Sequence, residues 1–367
     1  MRDNLRLYRK MLTAMKEFLP GRRITRLRNL AFLASGLFLG ESVHLGKIAR
    51  TWPFAGKVVS LTNRLRRFLK NGSVTSTDFY RPLARKLLSS FAEPWQEVRL
   101  ILDTTKVGFG HRVLTVSLAY RKRALPLAWS VHSGQRGHTK AEEQIALLRR
   151  LQPLLGPESR VWIIGDSEFG HVGLLRWVAG QQGWHYILRT SGQSKIRADG
   201  VHAGEGPWTK LSNARLEEGQ TRFVGRVRFT EKHDYEGAHL VMHWAEGEDE
   251  PWYLLSDRPV SVSTLERYKK RMWTEEMYAD LKGHGIDLEA THLVHAERIN
   301  RLMLGACWMY VWLLALGSYV VKRGWRDQVD RKDRRDKSYF RIGWDFAERC
   351  LSQGDPLYLR FTPYFRK

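Results

Sequence analysis

Apolar residues recur at helical spacing through residues 1–95 and switch to alternating or continuous runs beyond them. Leu5, Leu7, Met11, Leu12 and Met15 mark one face of a helix over 2–18, which Pro20-Gly21 ends. A second helix is expected over 24–39, and two short ones over 43–50 and 60–69, either side of Trp52-Pro53. From residue 96 the runs 98–103, 114–120 and 125–131 predict strands, the last two joined by the basic turn Arg121-Lys-Arg123, hence an antiparallel meander. A helix over 140–155, a buried strand over 160–166, a helix over 172–182 and a fifth strand over 184–189 follow. The order β-β-β-α-β-α-β reads as a mixed α/β layer with helices on its faces.

Residues 191–260 are rich in Gly and Thr, with short alternating stretches at 221–229, 239–244 and 252–256. They read as a β-rich insertion. Nothing from Tyr268 to Lys282 breaks a helix, and Gly283 and Gly285 end it. An apolar run over 302–321 comes next. A mixed-charge segment over 326–337, expected to be a solvated connector, and a last helix over 339–351 complete the chain. This pattern divides it into a helical basic region (1–95), a core in two parts (96–190 and 261–321), the insertion (191–260) and a basic C-terminal region (322–367).

Charge adds a partner. The 367 residues carry a net charge of +23, of which +15 falls on residues 1–90, where 19 Lys and Arg face 4 acids. Residues 321–367 carry +6, and the middle is close to balanced. Such an excess points to a polyanion, first of all nucleic acid, with an anionic membrane surface as the competitor. The pair of short helices resembles a helix-turn-helix whose second member offers Asn63, Arg64, Arg66 and Arg67 to a groove; an ordinary helical bundle with a basic surface has the same pattern. The run 302–321 has the length of a membrane span, but its Trp/Tyr cluster sits in its middle, so a helix buried in a large core is expected. Cys307 and Cys350 lie in apolar helical patterns without metal-ligand spacing and read as reduced, packed residues of a cytosolic protein.

Three carboxylates stand out. Asp103 and Asp166 each end an apolar strand, where an acid is costly unless partnered; Asp103-Thr-Thr and Asp166-Ser-Glu also fit turn or cap chemistry. On the helix over 268–282, Tyr268, Arg271, Glu275 and Lys282 fall within an arc of about 60°. That face suits the holding of a metal-bound phosphate, and equally a solvated face with an Arg271–Glu275 ion pair. If the strand ends converge and Glu275 comes in beside them, three hard oxygen ligands suit Mg²⁺ or Mn²⁺. Glu276 and Glu168 are second choices. The pairs His132/His138 and His292/His295 have no further ligands, and neither a phosphate-binding Gly loop nor a Gly-x-Ser-x-Gly elbow is present.

These residues resemble the DDE transposases of bacterial insertion sequences, in particular the insertion-sequence-four family with its Tyr-x2-Arg-x3-Glu-x6-Lys signature. Tyr268, Arg271, Glu275 and Lys282 match it at every spacing. Ile101-Leu-Asp103-Thr-Thr and Ile164-Gly-Asp166-Ser-Glu-Phe-Gly170 match the two Asp blocks. The resemblance covers about residues 96–320; residues 1–95 share only a basic, helical character. It implies a ribonuclease-H-like catalytic core and cut-and-paste transposition. Asp103, Asp166 and Glu275 would bind two Mg²⁺, and Tyr268, Arg271 and Lys282 would hold phosphates. A Trp of the insertion would stack on a base flipped out during hairpin formation, with Trp252 the best match and Trp208 and Trp244 its rivals. The partners implied are double-stranded DNA, as terminal inverted repeats and target, and a second copy in a synaptic dimer. The setting implied is the nucleoid of a bacterial cytoplasm, with no membrane. A non-catalytic DNA-binding derivative and a structure-specific nuclease are the alternatives.

Overall fold

A computed structural model describes residues 3–91, 97–134, 139–198 and 206–365. The first five helices are α1 (Asp3–Phe18), α2 (Ile24–Gly40), α3 (Leu45–Arg50), α4 (Val58–Lys70) and α5 (Ser76–Phe91). Their apolar faces do not close on themselves. They share one core cluster with the sheet and with α10 (Ala296–Lys322), which packs against α2, α4 and α5. α10 is long and apolar enough to cross a membrane, yet its most apolar window is 94% buried inside the protein. Trp308, Tyr310 and Trp312 of its middle are fully enclosed. The Trp308 indole N–H donates to the Phe79 carbonyl at 2.9 Å and that of Trp312 to the Tyr358 carbonyl at 3.1 Å, so these rings are buried without losing their hydrogen bonds. Cys307 and Cys350 are free and buried, the latter on α11 (Tyr339–Ser352).

The strands β1 (Val98–Val107), β2 (His111–Tyr120) and β3 (Arg123–Ser133) form the expected antiparallel meander. β4 (Val161–Gly165) pairs in parallel with β1, and β5 (Trp184–Thr190) in parallel with β4. The crossovers contain α6 (Ala141–Leu151) between β3 and β4, and α7 (Val172–Ala179) between β4 and β5. The remaining strands are β6 (Lys195–Ala198), β7 (Thr209–Lys210), β8 (Thr221–Phe229), β9 (Tyr235–His243) and β10 (Trp252–Ser256). They do not form a separate sheet. β10 pairs antiparallel with β5, giving one ten-stranded sheet in the order β3-β2-β1-β4-β5-β10-β9-β8-β6-β7. The fold is thus mixed α/β, with helices before and after a single sheet.

The stretch 268–282, expected to be one helix, is three pieces. α8 (Val262–Tyr268) ends at Tyr268, a 3₁₀ turn spans Lys269–Arg271, and α9 (Met272–Leu281) follows, with a π-helical turn from Lys282 to Ile286. The break has a packing cause. Leu265 and Tyr268 of α8 bury against Trp162, Ile164, Ile187, Trp252 and Leu254. Met277, Tyr278 and Leu281 of α9 bury in the main core instead. Ile163 and Ile164, adjacent on β4, divide between the same two clusters, as the alternation of a strand requires. One straight helix cannot serve both clusters. The tighter turn at 269–271 re-aims the chain between them. The 326–337 connector is mostly exposed, although Asp330 within it is buried and paired with Arg326 at 2.6 Å.

Candidate active site

Parallel pairing of β1 and β4 aligns Ile101 with Ile164. Two residues further along, Asp166 follows directly on the end of β4, whereas Asp103 stays within β1 opposite Thr115: the strand expected to end at Asp103 continues to Val107, because β2 goes on pairing with it. Asp103 is only 7% exposed. Its Oδ1 accepts the Thr104 N–H at 2.9 Å, and Oδ1 of Asp166 accepts the Glu168 N–H at 2.9 Å. Burial pushes the Asp103 carboxyl up to about 7; Arg271 opposes that rise, while Asp166 and Glu275 add to it. Burial also raises Asp166. The turn after β4 is held tightly against β5: a Cβ on Gly170 would overlap the Arg189 carbonyl. Only glycine allows that approach.

α9 is fixed over β1 and β2 by two polar contacts. The Thr274 and Ser117 hydroxyls lie 3.0 Å apart, and the Tyr278 hydroxyl donates to the Asp103 carbonyl at 3.3 Å. Thr274 is fully buried, so its neighbour Glu275 is carried to the margin of the site, where it is half exposed. There it pairs with Arg271 at 2.6 Å. Arg271 carries its charge to all three carboxylates, since its field lowers both Asp103 and Asp166. In this structure Arg271 is thus the counter-ion of the acids and does pair with Glu275, the alternative the spacing also allowed. Tyr268 is buried beside it, and burial pushes its hydroxyl up to about 12. Lys282, beyond the break, pairs with Glu289 at 2.5 Å.

The second-choice acids are held elsewhere. Glu168 accepts from the Thr139 N–H and hydroxyl at 2.7 and 2.6 Å and from the Thr104 hydroxyl at 3.2 Å, tying the start of α6 to β1. Glu276 pairs with Arg123 at 2.9 Å, beside the Arg123–Asp280 pair at 2.7 Å. One residue absent from the sequence-derived set belongs here. Arg189, at the end of β5 and one residue past the Gly165–Leu188 pair, adds positive potential at both Asp166 and Tyr268. Its only signal in the sequence is a cation closing an apolar strand, the same signal that picked out the aspartates.

Trp252 stands differently from expectation. It is 8% exposed within the smaller core, its ring edge-on to Tyr268 at 5.1 Å and to His243 at 5.5 Å. Its ring has no open face for a base, because β10 lies in mid-sheet under α8. Trp244 donates to the Glu248 carbonyl at 2.8 Å, and Trp208 lies under the Arg197 guanidinium at 4.9 Å; both are partly exposed. In α4, Arg64 does not reach outward either. It stacks on Trp52 at 4.5 Å and donates to Asn29 at 2.6 Å, whereas Arg66 and Arg67 are exposed. His132 pairs with Glu143 at 3.1 Å, His138 lies outside the described residues, His292 packs against His44, and His295 precedes α10.

Whether these residues suit a metal is answered by the donors. Asp103 and Asp166 are hard oxygen ligands, desolvated and mutually repelling, which is the condition a divalent cation relieves. Among the described residues no three His, Cys, Asp or Glu side chains stand close enough to hold an ion as they are. Glu275, the third expected ligand, is engaged by Arg271.

An aspartate within β1, a second just past β4 and a glutamate on α9, with a run of strands between the second and the third, stand in the order expected of an Asp-Asp-Glu site. Residues 94–312, more than half of the chain, match the family described as the transposase DDE domain, and the chain belongs to that family. A solved structure of the piggyBac transposase in a synaptic complex with hairpin DNA is similar at 12% identity and a TM-score of 0.43, over 96% of this chain and 81% of that one. At that level it assigns no residue a role. No protein with a curated description matches the chain.

Proposed function

We propose that this chain is a DNA transposase that cuts and joins the ends of an insertion sequence by metal-assisted phosphoryl transfer, through a hairpin intermediate. The observation that carries it is that Asp103 on β1 and Asp166 just past the adjacent parallel strand β4 both feel the charge of Arg271, which is paired with Glu275. Asp103, Asp166 and Glu275 would hold Mg²⁺, or Mn²⁺, which when bound supplies an activated oxygen nucleophile and neutralises charge building on the phosphate. The chain's own residues do the rest. Arg271, released from Glu275, is placed to meet a phosphate oxygen, with Arg189 at the neighbouring strand end as a second cation. Tyr268, kept protonated by burial, retains an O–H to donate to a phosphate oxygen. Lys282 needs to leave Glu289 to take part. Exposed Arg66 and Arg67 on α4 would grip the terminal inverted repeat, and the C-terminal region would serve a synaptic dimer in a bacterial nucleoid. The exact match to the Tyr-Arg-Glu-Lys spacing supports the insertion-sequence-four subgroup.

Incubation of the purified protein with Mg²⁺ and a duplex carrying the inverted repeats that flank its coding sequence tests this reading. Hairpinned ends, abolished by Asp103→Ala and Glu275→Gln but retained by Glu276→Gln, are expected. Nicking without joining would indicate a structure-specific nuclease, and binding without cutting a non-catalytic derivative.

A further inference from the structure

The most exposed large hydrophobic side chain among the described residues is Phe109, 77% open to solvent at the tip of the β1–β2 hairpin. The tip is rigidly built. The ladder runs unbroken to Val107–His111, leaving a three-residue turn. Gly108 has φ +57°, and a Cβ on it would come within 3.0 Å of the Thr291 carbonyl, so the turn is pressed against the segment before α10. His292 of that segment stands behind Phe109, ring centroids 5.7 Å apart, with His44 5.1 Å beyond it. Val294, 72% exposed, extends the apolar patch.

Beside this patch runs a groove of about 360 Å³ between the start of α3, α4 and residues 291–298. Arg66 and Arg298 line it, and neither pairs with a carboxylate among the described residues. Lys47 and Lys106 are exposed nearby in sequence. An apolar tip set in a cationic surround fits a duplex, whose backbone takes the cations while its base steps take the wedge. An acidic protein partner would also suit the charge, but the strand argues for DNA: β1 carries both Asp103 and the tip. At about 3.4 Å per residue the six steps from Asp103 to Phe109 span roughly 20 Å, or about six base pairs.

We propose that Phe109, braced by His292, inserts into or stacks on a base step about six base pairs from the scissile phosphate, with Arg66 and Arg298 holding the adjacent backbone. This rests on the transposase reading. The test uses the full chain, Ca²⁺ in place of Mg²⁺, and end-containing duplexes in which 2-aminopurine is walked outward from the cleavage position. Emission is expected to rise at one or two steps near the sixth. Phe109→Ala should flatten the profile and weaken binding about tenfold, and Phe109→Trp should preserve it. Phe109 is exposed, so an unchanged melting temperature of Phe109→Ala is the folding control. Binding with a flat wild-type profile, or a profile indifferent to Phe109→Ala, overturns the wedge alone. Failure to bind any end-containing DNA overturns the transposase reading beneath it. A DNA-free dimer lost in Phe109→Ala would assign the tip to a second copy and overturn the wedge.

Discussion

The Arg271 guanidinium lies 2.6 Å from the Glu275 carboxylate and shares its charge with Asp103 and Asp166. A positive group already stands where a metal ion's charge is needed. Arg271→Gln is therefore expected to bind Mn²⁺ about tenfold more tightly than the native protein without DNA, measured calorimetrically, because a competing cation is gone. The same variant should cut DNA at least about a hundredfold more slowly, having lost a donor to the phosphate. Weaker Mn²⁺ binding by Arg271→Gln would show that Arg271 organises the acids rather than competing for them.

Asp103 sets a pH signature. Its folded-state pKa is raised from the ordinary carboxylate value to about 7 by burial. The native state thus binds the proton more tightly than the unfolded chain. The corresponding stabilisation is complete below about pH 4 and is lost as pH rises through 7, on the order of a few kcal/mol in all. Thermal melts in EDTA should show stability falling over that window, with Asp166 contributing in the same direction. Asp103→Asn should flatten the fall, and so should saturating Mn²⁺. A fall of equal size in Asp103→Asn would place its origin elsewhere.

Trp252→Ala should cost about 3–5 kcal/mol of folding stability without any DNA present, since it empties a space between Tyr268, Ile187 and Leu254. Urea denaturation measures it. A variant as stable as the native chain would return Trp252 to the role of a base-stacking residue.

The arginines of α4 should separate. Arg66→Ala is expected to leave the melting temperature alone and reduce the salt dependence of DNA affinity by about one unit of slope. Arg64→Ala should lower the melting temperature, because it strips the Trp52 ring and the Asn29 side chain of their partner. Fluorescence anisotropy over a salt series, beside thermal melts, distinguishes them.

Much of the scaffold is legible in the pattern of apolar residues. The stretches 221–229 and 252–256 coincide with β8 and β10, and the meander and both parallel strands lie where alternation and buried runs put them. Asp103 and Asp166 are conspicuous because an acid ending an apolar run needs a reason. The helix break at 269–271 leaves no mark, since a 3₁₀ turn takes the same Lys and Arg residues as an α-helix and is decided by two separate cores. Trp252 cannot be placed from its own strand: Trp-Tyr-Leu-Leu-Ser is buried throughout, so nothing in it shows that α8 covers one face. Arg64 and Arg66 look alike in sequence, and only Trp52 and Asn29 tell them apart. β6 and β7 are too short to carry a period.

The shared sheet also has a mechanical meaning. β5 is bonded to β4 on one side and β10 on the other, and Arg189 on it reaches the Glu250 carboxylate and the Pro251 carbonyl just before β10. The β8–β9 hairpin is therefore joined, through β10 and β5, to the strand that lies beside Asp166. The insertion and the core are thus one continuous hydrogen-bonded sheet, and a shift of the outer strands would have to be taken up by the strand that carries Arg189.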